Sequence, residues 1–148
     1  MRALFDPAIA EWAEITTLSK EMREKLSHMP WISLRESIAL SSRRGDTEKA
    51  LLECADGTRI ETVLMRNARG HWSVCVSSQI GCAMSCSFCA TGRMGLSRNL
   101  TADEIVDQIR FWQHRLATRR KIGAGTDNSE RITNVVFMGM GEPLANYE

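Results

Sequence analysis

Apolar residues recur at helical spacing across residues 7–29, at Ile9, Trp12 and Ala13 and again at Leu18, Met22 and Leu26. Two short helices are expected there, with Thr16, Thr17 and Ser19 as candidate caps between them. A polar stretch around Gly45 then gives way to three runs that read as strands, 50–55, 59–65 and 72–78. Asp56-Gly57 between the first two is a hairpin signal, since both residues tolerate the turn's positive φ. The simplest arrangement is an antiparallel meander. Within 59–65 the sets Ile60, Thr62, Leu64 and Glu61, Val63, Met65 alternate without declaring which one faces the core.

From Ile80 to Ser97 periodicity gives way to three glycines, three cysteines and four serines or threonines, the texture of a long loop built around something. Thr101 followed by Glu104 is a capping-box pattern, and Ile105, Ile109, Trp112 and Leu116 trace one apolar stripe, predicting a helix through about residue 117. Residues 119–130 read as a polar connection. The run 132–138 is β-branched and of the buried kind, closing on Gly139-Met140-Gly141-Glu142-Pro143. Strand, loop, helix, strand and loop in that order make a βαβ unit, whose parallel pairing sets the cysteine loop and the Gly-Glu-Pro loop at one carboxyl edge.

The chain has 148 residues, 43% hydrophobic and 25% charged, a globular average that excludes wholesale disorder or a fibrous repeat. Its formal charge is +1, so composition supplies no field toward nucleic acid or anionic lipid, and any RNA contact must be local. Arg93, Arg98, Arg110, Arg115 and the run Arg119-Arg120-Lys121 are candidate phosphate contacts, against the commoner reading of a solvated helix face. The first seven residues hold one arginine and no apolar run, and no stretch approaches the roughly 20 apolar residues of a membrane span, so a cytoplasmic protein with no membrane partner is expected.

Three of five cysteines crowd into Cys82-x3-Cys86-x2-Cys89, too closely spaced for a disulfide framework, which favours a reducing compartment and metal chemistry. Positions i, i+4 and i+7 would also share one helix face, yet Gly81, Ser85, Ser87, Thr91 and Gly92 are poor helix formers, and three thiols in a polar loop have no packing rationale. Structural zinc wants four ligands, and Cys75, Cys54 or His71 would have to complete the set. A zinc-binding interaction module is therefore one alternative. An iron–sulfur cube held by three thiolates instead leaves one iron open to a substrate or cofactor.

The string Cys82-Ala-Met-Ser-Cys86-Ser-Phe-Cys89 resembles the radical S-adenosylmethionine motif. The strings Cys75-Val-Ser-Ser-Gln-Ile-Gly-Cys82, Phe88-Cys89-Ala-Thr-Gly, Arg98-Asn-Leu-Thr101 and Val135-Val-Phe-Met-Gly-Met-Gly-Glu-Pro-Leu144 are narrower and resemble the RlmN and Cfr family. Another radical enzyme sharing only the triad remains an alternative, against which these flanking strings count. The family resemblance implies methylation of adenine in RNA, at carbon 2 in large-subunit ribosomal RNA and certain transfer RNAs or at carbon 8 in ribosomal RNA, carbon 2 being the expected housekeeping activity. It implies a 4Fe-4S cluster on Cys82, Cys86 and Cys89. Gly141 and Glu142 would receive the amino group of S-adenosylmethionine, and Phe88 would lie with the cofactor. Glu61 would be a proton acceptor near the target adenine, Cys75 the cysteine that resolves a covalent enzyme–RNA adduct, and an electron donor such as flavodoxin a partner. Cys54 matches no family role and reads as buried filler.

The implied fold is α/β: an incomplete radical S-adenosylmethionine partial (β/α) barrel preceded by a small helical and antiparallel β region. The expected division is a helical region at 1–45, a β-hairpin region at 46–70 and the first part of the radical core at 71–148. The family also uses a methylated cysteine near its C-terminal end, which these residues do not contain, so an N-terminal fragment inactive by itself is expected.

Overall fold

The computed structural model describes residues 5–6, 9–121 and 131–147. A 3-10 turn at Trp12–Glu14 and helix α1, Lys20–Leu26, match the helical preface, and Ser19 caps α1 by accepting the Met22 N–H at 3.2 Å. Then come strands β1, Arg35–Ser41, β2, Thr47–Glu53, β3, Arg59–Arg66, and β4, Trp72–Cys75. Strand β5, Gln79–Gly81, is followed by the one-turn helix α2, Ala90–Arg93, strand β6, Leu96–Asn99, helix α3, Ala102–Lys121, and strand β7, Ile132–Val136. One sheet has the order β1-β2-β3-β4-β7, antiparallel except for the parallel β4–β7 pair, and β5 and β6 form a separate antiparallel ladder. Among the described residues no helix is long and apolar enough to cross a membrane.

Three expectations need correction. The division puts a helical region at 1–45, yet β1 lies there. It is an edge strand with Ile38 and Leu40 more than half exposed, so it lacks the buried alternation that marks a strand in sequence. The stretch 80–97 is not wholly irregular, because β5 and β6 close its base. Strands of three and four residues are too short to carry a period, and Gly81 at φ +77° forms the bulge between them, where a Cβ would fall 1.8 Å from the Gly95 carbonyl oxygen. The β-branched run predicts a buried β7, but Thr133, Asn134 and Val135 are exposed, since the strand borders only β4 and no other described element covers it. Of the connection expected at 119–130, residues 119–121 instead continue α3, and 122–130 lie outside the described residues.

The alternation in β3 resolves one way: Ile60, Thr62 and Leu64 are buried with Ala50 and Leu52 of β2, Trp72 and Val74 of β4, and Trp112 and Leu116 of α3. Each fully buried large apolar side chain contributes about 1.5–3 kcal/mol. Thr101 and Glu104 make the reciprocal capping bonds that start α3. Along this helix Trp112 Nε1 donates to Thr62 Oγ1 at 3.0 Å, and the Thr62 hydroxyl donates to the Cys75 carbonyl at 2.8 Å.

The helix is also fixed by charge, which removes most of the candidate phosphate contacts. Arg115 spans Glu36 at 2.7 Å and the buried Glu48 at 2.8 Å, and Arg119 also pairs with Glu48. Arg110 meets Asp107 at 2.6 Å and stacks 4.3 Å over Trp31. Arg98 holds Asp56 at 2.6 Å and both oxygens of Glu104 at 2.8 Å, tying the β2–β3 turn to the start of α3. Among those whose side chains are described, Arg93 alone makes only a main-chain bond, to the Ser87 carbonyl. The side chains of Arg120 and Lys121 lie outside the described residues.

Candidate active site

The Gly-Glu-Pro loop after β7 is stitched to the segment between β4 and the cysteine loop. Gly139 N–H donates to the Val76 carbonyl, Met140 N–H to Ser77 Oγ, and Ser78 N–H to the Met140 carbonyl, at 3.1, 2.9 and 2.8 Å. Gln79, 1% exposed, accepts the Glu142 N–H on Oε1 at 2.8 Å and donates from Nε2 to Asn99 Oδ1 at 2.9 Å. Asn146 closes the arrangement from outside, donating to the carbonyls of Ser78 and Leu100. The Gly-Glu-Pro loop therefore meets the segment that leads into the cysteine loop, at the expected end of β4, and no hydrogen bond among the described residues joins it to residues 82–89.

The approach is too close for side chains. Gly141 has φ +98°, and a Cβ there would lie 2.7 Å from Gln79 N and 2.8 Å from Ser78 Oγ. A Cβ at Gly139 would meet the Val76 carbonyl oxygen at 2.7 Å. Glu142 holds Leu144 N–H on Oε1 at 3.0 Å, which starts the Pro143–Ala145 turn, while Oε2 has no partner among the described residues. A carboxylate so oriented suits a cationic amine.

The triad shares one loop. Cys82 is buried beside the β5–β6 ladder, its N–H donating to the Gly95 carbonyl, whereas Cys86 and Cys89 are half-buried. Cys89 immediately precedes α2, and the backbone N–H groups of Gly92 and Thr91, with the Thr91 hydroxyl, draw its thiol below the ordinary range despite burial. The three thiols do not converge, and no group of three His, Cys, Asp or Glu side chains among the described residues stands close enough to hold a metal ion. The donor set nonetheless fits an iron–sulfur cluster, being three soft thiolate ligands on one loop with one already biased toward the thiolate. Phe88 projects from the loop at 90% exposure. His71 belongs to the β3–β4 turn at the far end of β4, so it is not placed to complete a zinc site here. All five cysteines are unpaired thiols.

Glu61 and Cys75 share the sheet face opposite α3. Val63 of β3 pairs with Cys75 of β4, and Glu61 lies two residues from Val63 on the same side, a diagonal neighbour within reach of a long side chain. Lys49 of β2 reaches Glu61 Oε1 with Nζ at 2.6 Å. Burial pushes the Cys75 thiol above the ordinary range, partly offset by the Met138 backbone N–H. Cys54 is buried, as expected of filler, and burial likewise raises its thiol.

Sequence reasoning missed Lys49 and Gln79. Glutamine within the apolar-flanked string 74–82 was the available signal, because a buried amide is costly unless hydrogen-bonded. For Lys49 no signal existed before the strand register was known.

No family model matches the chain. It is 41% identical, over 97% of its length, to the dual-specificity RNA methyltransferase RlmN of Geotalea uraniireducens, of which it covers 37%. It is 44% identical, over 91% of its length, to the ribosomal RNA large subunit methyltransferase N of Nitrosopumilus maritimus, of which it covers 38%. Among solved structures, a radical SAM methyltransferase from Sphaerobacter thermophilus superposes with a TM-score of 0.76 at 42% identity, across 95% of this chain and 38% of that one. The chain thus spans little more than a third of these relatives, and by its 41–44% identity to them over more than nine-tenths of its own length it belongs to the RlmN family of radical SAM methyltransferases.

Proposed function

We propose that the protein methylates carbon 2 of adenine in large-subunit ribosomal RNA and in transfer RNA, through a methyl-cysteine intermediate, and that residues 71–148 are the first part of its radical core. The sheet then reads as the opening of a partial (β/α) barrel, preceded by the regions 1–45 and 46–70. The observation that carries the reading is the junction of the Gly-Glu-Pro loop with the root of the cysteine loop, beside a sheet face that holds Glu61 and Cys75.

In this reading Cys82, Cys86 and Cys89 hold a 4Fe-4S cluster, with Phe88 beside the cofactor, and Gly141 and Glu142 hold the amino group of S-adenosylmethionine. Together the bound cluster and S-adenosylmethionine supply one-electron chemistry, with a donor such as flavodoxin as the electron source. Glu142 offers Oε2 to the ammonium while Leu144 N–H fixes its other oxygen. Glu61 accepts a proton at its carboxylate, which Lys49 holds in place from the neighbouring strand. Cys75 rests as a neutral thiol beside this face, because burial disfavours its thiolate.

Anaerobic reconstitution with iron and sulfide should give broad absorbance near roughly 400 nm, as cysteine-ligated clusters do, and Cys86→Ala should abolish it. Methyl transfer to adenine-labelled RNA by the intact protein tests the activity. Absorbance that survives Cys86→Ala sinks the ligand set, and a cluster-loaded protein that transfers no methyl group to RNA sinks the substrate.

A further inference from the structure

Composition predicted no electrostatic pull on nucleic acid, but the fold segregates the charge that composition averages away. The β1–β2 turn at residues 42–46, the β3–β4 turn at 67–71 and the start of β7 all lie at the end of the sheet opposite the cysteine loop. Arg66 N–H donates to the Asp46 carbonyl, Asn67 N–H to the His71 carbonyl, and Trp72 pairs with Ile132, so the three sites are contiguous. They bring together Arg43, Arg44, Arg66, Arg69 and Arg131, all exposed. At this end they face the exposed His71 and one described surface carboxylate, Asp46, which is held by Ser42 Oγ at 2.7 Å. Glu48, nearby on β2, is buried and already occupied by Arg115 and Arg119.

These arginines differ from those of α3 and β6 in that none of them is ion-paired with a carboxylate among the described residues. Arg43, Arg69 and Arg131 have no side-chain hydrogen bond or ion pair among the described residues. Arg44 lies near enough to Asp46 to attract its carboxylate but makes no ion pair with it, and Arg66 bonds the Gly70 carbonyl and lies 5.7 Å over Trp72. A chain of net charge +1 thus gathers five guanidinium groups on one sheet end. Four strand spacings separate β1 from β7, a row about 19 Å long. All five are arginine and none is lysine, the choice that matches a forked donor to phosphate oxygens.

We propose that this sheet end is an RNA-backbone docking surface that grips phosphates without reading sequence. The proposal rests on the RNA-methylation reading above and extends it. With the proton acceptor Glu61 on the uncovered face and the cofactor loops beyond it, β3 alone spans about 26 Å from the arginine end to the β2–β3 turn. The bound RNA then runs along the open face of the sheet, anchored at one end and reacting toward the other.

The test is fluorescence anisotropy of the intact protein with a fluorescein-labelled RNA stem-loop, between about 50 and 200 mM salt. The variant R43Q/R44Q/R69Q/R131Q should flatten the slope of log K against log salt by about 3, at roughly 0.7–0.9 for each phosphate that is no longer neutralised. The corresponding all-lysine variant should keep most of the slope, and K20Q/K25Q on α1 should not change it. Far-UV circular dichroism confirms that each variant is folded. An unchanged slope in the glutamine variant, or an equal loss per charge in K20Q/K25Q, overturns the surface. Failure of the wild-type protein to bind RNA overturns the substrate reading and the surface with it. Loss of binding to phosphatidylserine vesicles in the glutamine variant, with RNA affinity intact, reassigns the patch to a lipid surface and also overturns it.

Discussion

Replacing Gln79 by leucine removes two hydrogen bonds at a position 1% exposed while keeping most of the side-chain volume. On one side Asn99 is exposed, so water can take over its Oδ1. On the other, the Glu142 N–H loses its 2.8 Å acceptor in a half-buried loop, and a stranded amide of that kind costs about 1–3 kcal/mol. The loss falls on the Gly-Glu-Pro loop, because the β2–β3 and β1–β2 ladders do not use Gln79. At about 1.4 kcal/mol per factor of ten, amide exchange at Glu142 should quicken by roughly 5- to 150-fold. Hydrogen–deuterium exchange over residues 139–146 measures it, with Asn99→Ala as a milder companion that leaves the Glu142 acceptor in place. Unchanged exchange at Glu142 would refute the reasoning. An equal acceleration in β2 and β3 would show that Gln79 supports the whole fold rather than the junction.

Gly141→Ala should lower S-adenosylmethionine affinity with cluster absorbance unchanged, since φ +98° costs a non-glycine residue about 1–3 kcal/mol and its Cβ meets Gln79 N at 2.7 Å. Isothermal titration checks this, and wild-type affinity would refute it. Cys75 should resist iodoacetamide at neutral pH and label only as pH rises past the ordinary thiol range, because burial raises its thiol. Labelling of native protein at pH 7 as fast as free cysteine counts against that. Asp56 and Glu104 are held below the ordinary carboxylate range, with the Arg98 hydrogen bonds the largest cause. Their stabilisation is therefore present above that range and lost as pH falls through the depressed folded values. The gap in unfolding temperature between wild type and Arg98→Gln should narrow in acid, and a constant gap would contradict the assignment.

The helix stripe, the capping box and the Asp56-Gly57 hairpin were legible because each is a local pattern with one geometric solution. That the Gly-Glu-Pro loop and the root of the cysteine loop lie together was legible as topology, since a βαβ order places them at one edge. Which face of β3 is buried could not be read, because Ile60 and Val63 are equally apolar and only packing under Trp112 separates them. The arginines without an ion pair were invisible for a related reason. Arg98, Arg110 and Arg115 look in sequence as available as Arg43 and Arg131, and only the three-dimensional partners Glu104, Asp107 and Glu48 divide the bound from the unbound. Strand β1 escaped notice because an edge strand with exposed apolar residues leaves no burial signature.

The parallel pair β4–β7 joins residues about sixty apart in the chain, whereas the β1–β2, β2–β3 and β3–β4 pairs join strands adjacent in sequence. Loop-closure entropy makes such distant pairing the slow event of folding, so the meander is expected to form first and β7 to dock last. Until it docks, Gln79 has no Glu142 N–H to receive, and the Gly-Glu-Pro and cysteine loops belong to separate pieces of chain. Docking of β7 is thereby the step that brings Glu142 to Gln79, so the junction beside the cysteine loop closes only after the meander has formed.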